Sequence, residues 1–342
     1  VELPRATFAG RAAAEQGHIE AQNHLAVAYS RGTGVPRDPE QAFRWVRAAA
    51  EKGDRMAQHN LSSMYAEGVG VEKNDAESFR WFREYARESA PAEQYLVGLR
   101  YEEGHGVPRS LSDAAEWYGL AAEGGHVAAQ LRLGRLLIEA EGETRNVLRA
   151  ARLLEQAAEA GDPEAMHQLA LLYETGRGVE RDFEMAVAWH RKAAEQGHAE
   201  SQYRLGLAYG SGVGTPKNTA RGRRWLIEAA EQGHAGAMFS LGSVRYQGQG
   251  VVQNVPMALE WFERAASAGN TEAAATLGIL YAGGRGVPAD RARSLFWLEL
   301  AGEAEGAADA LAELQPRLTA ANRAKASRLR STWRKDHPGV LD

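Results

Sequence analysis

Ten histidines in a chain of 342 residues without cysteine are the side chains best suited to hold a metal ion. Four of them, His18, His126, His198 and His234, recur in one position, directly after a glycine where a helix begins. Packed helices approach no closer than about 8 Å, whereas a zinc ion draws its nitrogen ligands to about 2 Å. Residues from the same position of adjacent helix pairs therefore cannot share an ion, and their role reads as structural. No His-Glu-x-x-His and no histidine pair four residues apart occurs. Gly176 and Gly178 flank an arginine in a way superficially like a phosphate-binding loop, but they follow a helix where a dinucleotide fingerprint follows a strand. Neither Ser-x-x-Lys nor Gly-x-Ser-x-Gly is present, so hydrolytic chemistry has no recognisable nucleophile. The chemistry-bearing residues point to a chain without catalytic site, metal or cofactor.

Composition narrows the partners. A formal net charge of −5 gives no clustered positive surface for nucleic acid or an anionic membrane. No apolar run approaches the roughly 20 residues that span a bilayer. The absence of cysteine excludes a disulfide framework, a thiolate zinc site and a cysteine nucleophile, and leaves both cytoplasm and periplasm open. The chain starts at Val1 without a leader, as a processed or truncated end would.

The elements that position these residues follow a strict period. Gly17, Gly53, Gly125, Gly161, Gly197, Gly233 and Gly269 fall on a 36-residue grid, with Ser89 in the remaining slot. The same grid aligns Trp45, Trp81, Trp117, Trp189, Trp225, Trp261 and Trp297, with Leu153 as the single exception among eight repeats. A tyrosine column and a Gly-x-Gly lie between them. In repeat five, Ala165, Leu169 and Tyr173 are spaced four by four, which aligns one face of a first helix, helix A. Gly-x-Gly stops it, because glycine readily takes positive φ. The second helix, helix B, starts after a column reading Asp38, Asn74, Ser110, Asn146, Asp182, Asn218, Asn254 and Asp290, all N-cap residues. Nothing in the pattern reads as a strand.

The columns LALLYETGRGV, then Asp, then AxxW and AAxxG resemble the Sel-one-like repeat (SLR) family, relatives of the tetratricopeptide repeat, over about residues 5–304. The resemblance implies an all-α, right-handed α/α superhelical solenoid. For the family at large it implies adaptor or scaffold roles, which favours periplasm or envelope over cytoplasm. Some members carry paired cysteines, which this chain lacks.

Taken in order, residues 1–16 contain an orphan B helix whose apolar side, with Thr7 and Phe8, is expected to be incompletely covered and to invite self-association. Residues 17–304 form eight 36-residue repeats. Repeat four departs from the pattern: EAEGETRN replaces its Gly-x-Gly loop, either as drift or as a contact loop. Residues 305–342 form capping helices broken near Pro316. The second of these carries a run of bases that is either a solvated face or a surface for an acidic partner.

Transferring the tetratricopeptide groove positions through Leu169, Ala170 and Tyr173 turns five positions of each helix A toward a concave surface. They supply Tyr95, Leu99, Leu131, His167, Leu171, Tyr203, Leu207, Phe239 and Tyr246, flanked by Glu102, Glu103, Glu139 and Glu174. This strip is expected to bind a protein or peptide segment with apolar anchors and basic flanks. The function expected is an interaction scaffold. A specific inhibitor or immunity protein that neutralises a secreted effector is the alternative, and an envelope or polysaccharide enzyme using carboxylates is a third reading.

Overall fold

The computed structural model describes residues 5–139 and 146–337, with side chains from Gly10 onward. Thr7, Phe8 and the irregular loop of repeat four lie outside these described parts. The described chain is all helical, and it divides into two compact halves, residues 1–160 and 161–342.

In the N-terminal half, α1 (Arg5–Glu15) is followed by the pairs α2 (Ile19–Arg31) and α3 (Pro39–Ala50), α4 (Arg55–Glu67) and α5 (Asp75–Ala86), α6 (Pro91–Glu103) and α7 (Leu111–Glu123), α8 (Val127–Glu139) and α9 (Val147–Glu159). In the C-terminal half the pairs are α10 (Pro163–Thr175) and α11 (Phe183–Glu195), α12 (Ala199–Ser211) and α13 (Thr219–Glu231), α14 (Ala235–Gln247) and α15 (Val255–Ser267), α16 (Thr271–Gly283) and α17 (Arg291–Ala301). Two helices close this half: α18 (Ala307–Leu314), followed by a short 3-10 turn that contains Pro316, and α19 (Ala320–Asp336). Within each half, helix A packs on its own helix B and helix B on the next helix A, the nearest-neighbour order of an α/α solenoid.

Local chemistry sets the boundaries. All eight N-cap side chains of the B helices accept a hydrogen bond from a first-turn backbone N–H, as Asp38 does from Gln41 and Asn218 from Arg221. The N–H of the same residue donates back to the carbonyl of the tyrosine column, at 3.0 Å for Asp182 to Tyr173 and 2.7 Å for Asn218 to Tyr209, which closes the loop between the two helices. The second glycine of the loop also locks one repeat to the one before it. A Cβ on Gly214 would lie 2.1 Å from the carbonyl oxygen of Phe183, so only glycine fits, and its φ of +66° asks for glycine as well. Small and large columns interdigitate in the core. Ala193 and Ala194 are buried beside Trp189, which is 7 % exposed, and Leu153 is buried in the position that tryptophan holds elsewhere.

Candidate interaction surface

In the N-terminal half, Tyr95 is packed rather than open. Its ring stacks on His126 with centroids 4.5 Å apart and lies 5.6 Å from Tyr118. The buried Tyr118 donates its hydroxyl to the carboxylate of Glu102, which also receives Arg132 at 2.9 Å. Burial, then the bond to Glu102, holds the Tyr118 phenol well above the ordinary range. Leu99 packs on the same core and Leu131 is half-buried. Glu103 pairs with His105 at 3.0 Å and Glu139 with Arg135 at 3.9 Å, both on the surface.

The C-terminal half repeats this inlay two 36-residue periods further on, with histidine in place of both tyrosines: His167, His190, His198, Glu174 and Arg204 stand where Tyr95, Tyr118, His126, Glu102 and Arg132 stand. Three imidazoles converge on the hydroxyl of Ser201, whose Oγ lies 2.9 Å from His198 Nδ1, 3.2 Å from His190 Nδ1 and 3.5 Å from His167 Nδ1. Glu174 meets His190 Nε2 at 3.3 Å and Arg204 at 3.4 Å, and Glu164 meets His198 Nε2 at 3.2 Å. Burial, reinforced by the charges of His190 and His198, pulls His167 down to about 4. The bond from His198 pulls Glu164 down to about 2, and the bond from His234 does the same to Glu200. Glu174 is held below the carboxylate range chiefly by His190. A serine, a histidine and a carboxylate in sequence have the composition of a hydrolytic triad. Here, however, Ser201 is 0 % exposed and walled by rings, with no room for a substrate carbonyl. Among the described residues no group of three or more His, Asp or Glu is arranged to hold a metal ion.

This geometry corrects part of the expected groove. His167 is only 6 % exposed and cannot present a contact surface. Tyr203 stacks on His234 at 4.5 Å, as Tyr95 does on His126, so the aromatic column is occupied by the next helix A. Phe239 lies against Phe262 at 5.6 Å but stays half-buried and keeps a face on an open cleft, and Tyr246 is half-buried against the core. Glu102 and Glu174 are neutralised inside the chain and do not form the acidic rim that basic flanks would need.

The histidine column has a role the sequence reading missed. His126, His198 and His234 each accept a backbone N–H three residues on, through Nδ1, and so cap helix A. Asp54, Asp162 and Asn270 do the same in that column, and their presence there is the signal that identifies it.

What remains open of the expected groove is a cleft beside the tenth residue after the repeat glycine, Leu207 in the C-terminal half and Val27 in the N-terminal half. Between α12, α13 and α14 it has a volume of about 440 Å³ and is lined by Gly206, Leu207, Gly222, Leu226, Phe239 and Val244, with polar groups at its edge. Close approach makes it shallow: a Cβ on Gly222 would lie 2.7 Å from the carbonyl oxygen of Gly206. The N-terminal half carries a cleft of about 490 Å³ in the same columns, with Ala26, Val27, Ala42, Val46 and Met64. Its apolar rim is exposed at Val27 (49 %), Met56 (63 %) and Val69 (40 %), and the other cleft has Leu207 (40 %) at its rim. Leu171 is half-buried.

Nearest-neighbour helix pairs with capped B helices, glycine-closed loops and an open cleft beside helix A define an α/α repeat protein of the tetratricopeptide-like class. The chain belongs to the Sel1 repeat family, whose model matches residues 19–54, 55–88, 94–126, 127–162, 163–198, 199–234, 235–270 and 271–305. Among solved structures it is similar to a Sel1 repeat protein from Oxalobacter formigenes at 34 % identity, covering 90 % of this chain and 89 % of that one with a TM-score of 0.70. It is also similar to c5321, a protective antigen of uropathogenic Escherichia coli with an SLR fold, at 30 % identity, covering 99 % and 89 % with a TM-score of 0.40. No curated protein matches. Among the described residues no helix is long and apolar enough to cross a membrane.

Proposed function

We propose that this chain is a non-catalytic interaction scaffold that holds a segment of a partner protein in the clefts beside its A helices. One observation carries the reading: the same cleft, built from the same columns, recurs in both halves with large apolar side chains left at its rim. Folding gains nothing from Val27 or Met56 in water, and exposed apolar rims around a preformed cleft are what partners bury. The Sel1 repeat membership supports it, since such repeats are generally interaction modules.

Photo-crosslinking tests this. A photoreactive residue at Val27 or at Leu207, introduced in the native cell, is expected to trap a partner protein, while one at the exposed Glu155 or Glu228 of the B helices traps none. Equal labelling from all four positions would remove the cleft as the binding surface.

A further inference from the structure

The cleft between α12, α13 and α14 differs from its N-terminal counterpart in a way that selects a ligand. The counterpart carries both Arg31 and Glu67 on its wall, whereas here Arg223 is the only charged residue among those that line it. Arg223 is half-buried on α13 and makes no hydrogen bond, ion pair or ring contact among the described residues. Its surroundings offer little negative charge. From Leu205 to Leu259 the chain has Lys217, Arg221, Arg223, Arg224 and Arg245 against only Glu228 and Glu231, although the whole chain is net acidic. The carboxylate at the start of α12, Glu200, is already held by His234 at 2.8 Å and Arg204 at 2.8 Å.

The remaining polar groups fit a peptide backbone. Ser211 and Ser243 donate their hydroxyl protons to the carbonyls of Leu207 (2.9 Å) and Phe239 (3.0 Å); the Ser211 oxygen already accepts the N–H of Val213 at 3.4 Å, and the Ser243 oxygen keeps its lone pairs as acceptors for an N–H group. Leu207, Leu226, Phe239 and Val244 form the apolar floor. An extended chain sends alternate side chains to one side, which suits a shallow floor with an acceptor at its edge. A guanidinium beside such a floor binds carboxylate through charge-assisted, geometrically fixed bonds.

We propose that this cleft takes an extended apolar peptide segment that carries a carboxylate, with Arg223 as its counter-ion. The proposal rests on the scaffold reading and deepens it: the partner segment for this cleft is acidic rather than basic.

The test uses the full chain and two fluorescein-labelled peptides of alternating leucine and serine, one ending in two glutamates and the other in two glutamines. Fluorescence anisotropy is expected to show the glutamate peptide binding about tenfold tighter, the increment of one charge-assisted bond. Arg223→Gln should erase that difference. Arg224→Gln, which lines a different cleft with Glu228, should preserve it. Circular dichroism of both variants checks the helical fold. Equal affinity for the two peptides, a preference that survives Arg223→Gln, or one that Arg224→Gln erases equally would overturn the proposal. Binding of neither peptide would overturn it too. The crosslinking at Val27, in the other half, still decides the scaffold reading on its own.

Discussion

His198 joins two repeats through opposite edges of one ring: Nδ1 accepts the backbone N–H of Ser201 at 3.2 Å and caps α12, while Nε2 meets Glu164 of the preceding helix A at 3.2 Å. His234 does the same for α14 and Glu200. An aspartate in this position, as at Asp162, caps the helix but has no second edge to reach back. His198→Asp should therefore cost less than His198→Ala. The alanine variant loses a cap worth about 1 kcal/mol and a charge-assisted bond of about 1.5 kcal/mol or more. Urea denaturation of the two variants measures the cap, and equal midpoints would show that capping at this position contributes nothing.

Acid should unfold the C-terminal half early. The folded value of about 4 for His167 lies below its ordinary 6.5, because burial favours the neutral ring. Its contribution is complete above about pH 6.5 and is lost as pH falls toward 4, reaching about 3 kcal/mol there. Glu164 and Glu200, at about 2, add stability that is present above about 4.5 and lost as pH falls toward 2. Tyrosine fills the column of His167 at Tyr95 and Tyr203 with the same stacking on the next histidine. His167→Tyr should thus flatten the pH dependence of Tm between 6.5 and 4. An unchanged slope would assign the acid lability elsewhere.

Two glycines near each other on adjacent helices should respond to alanine with opposite signs. A Cβ on Gly222 would meet the Gly206 carbonyl oxygen at 2.7 Å and the Gly210 nitrogen at 3.2 Å, both backbone atoms that cannot swing aside. Gly222→Ala should destabilise by about 2 kcal/mol despite its better helix propensity. Gly210 has nothing within 4 Å of the same point, and Gly210→Ala should stabilise by about 0.4–1 kcal/mol. Thermal melts that move the same way would contradict the close crossing of α12 and α13.

Trp189 contributes through volume rather than hydrogen bonding. It is 7 % exposed, Lys192 Nζ sits 3.8 Å from its ring centroid, and its indole Nε1 has no partner. Trp189→Ala should cost about 3–5 kcal/mol as a large core truncation, while Trp189→Phe, which gives up no hydrogen bond, should cost roughly 1–2 kcal/mol. Hydrogen exchange should show the loss of protection centred on α11 and its neighbours. Comparable destabilisation by both changes would point to a hidden partner for the indole nitrogen.

The repeat was legible in the sequence because each of its devices is local. A cap at Asn218, a stop at Gly212 and a tryptophan seven residues after the cap announce themselves by type and spacing. What was not legible is which side chain satisfies which across repeats. Tyr203 reads as free for a ligand because a period fixes a residue's place along a helix, and says less about what the next helix leaves uncovered. Glu174 looked like part of an acidic rim because its partners, His190 and Arg204, lie 16 and 30 residues away. The column of His198 was read as structural, correctly, but its capping role emerges only when Asp54, Asp162 and Asn270 are set beside it.

The contact between Gly214 and the Phe183 carbonyl also bears on how such a chain can change in length. One residue added to this loop would turn the following helix by about 100°, swinging Trp225 off its line and parting Asn218 from the Tyr209 carbonyl. Nothing in a turn this tight can absorb the extra link. A whole period adds a complete set of contacts and disturbs none, so a duplication or deletion of 36 residues should be tolerated where a single insertion is not. Length in this architecture is effectively quantised, changing by the copy rather than by the codon.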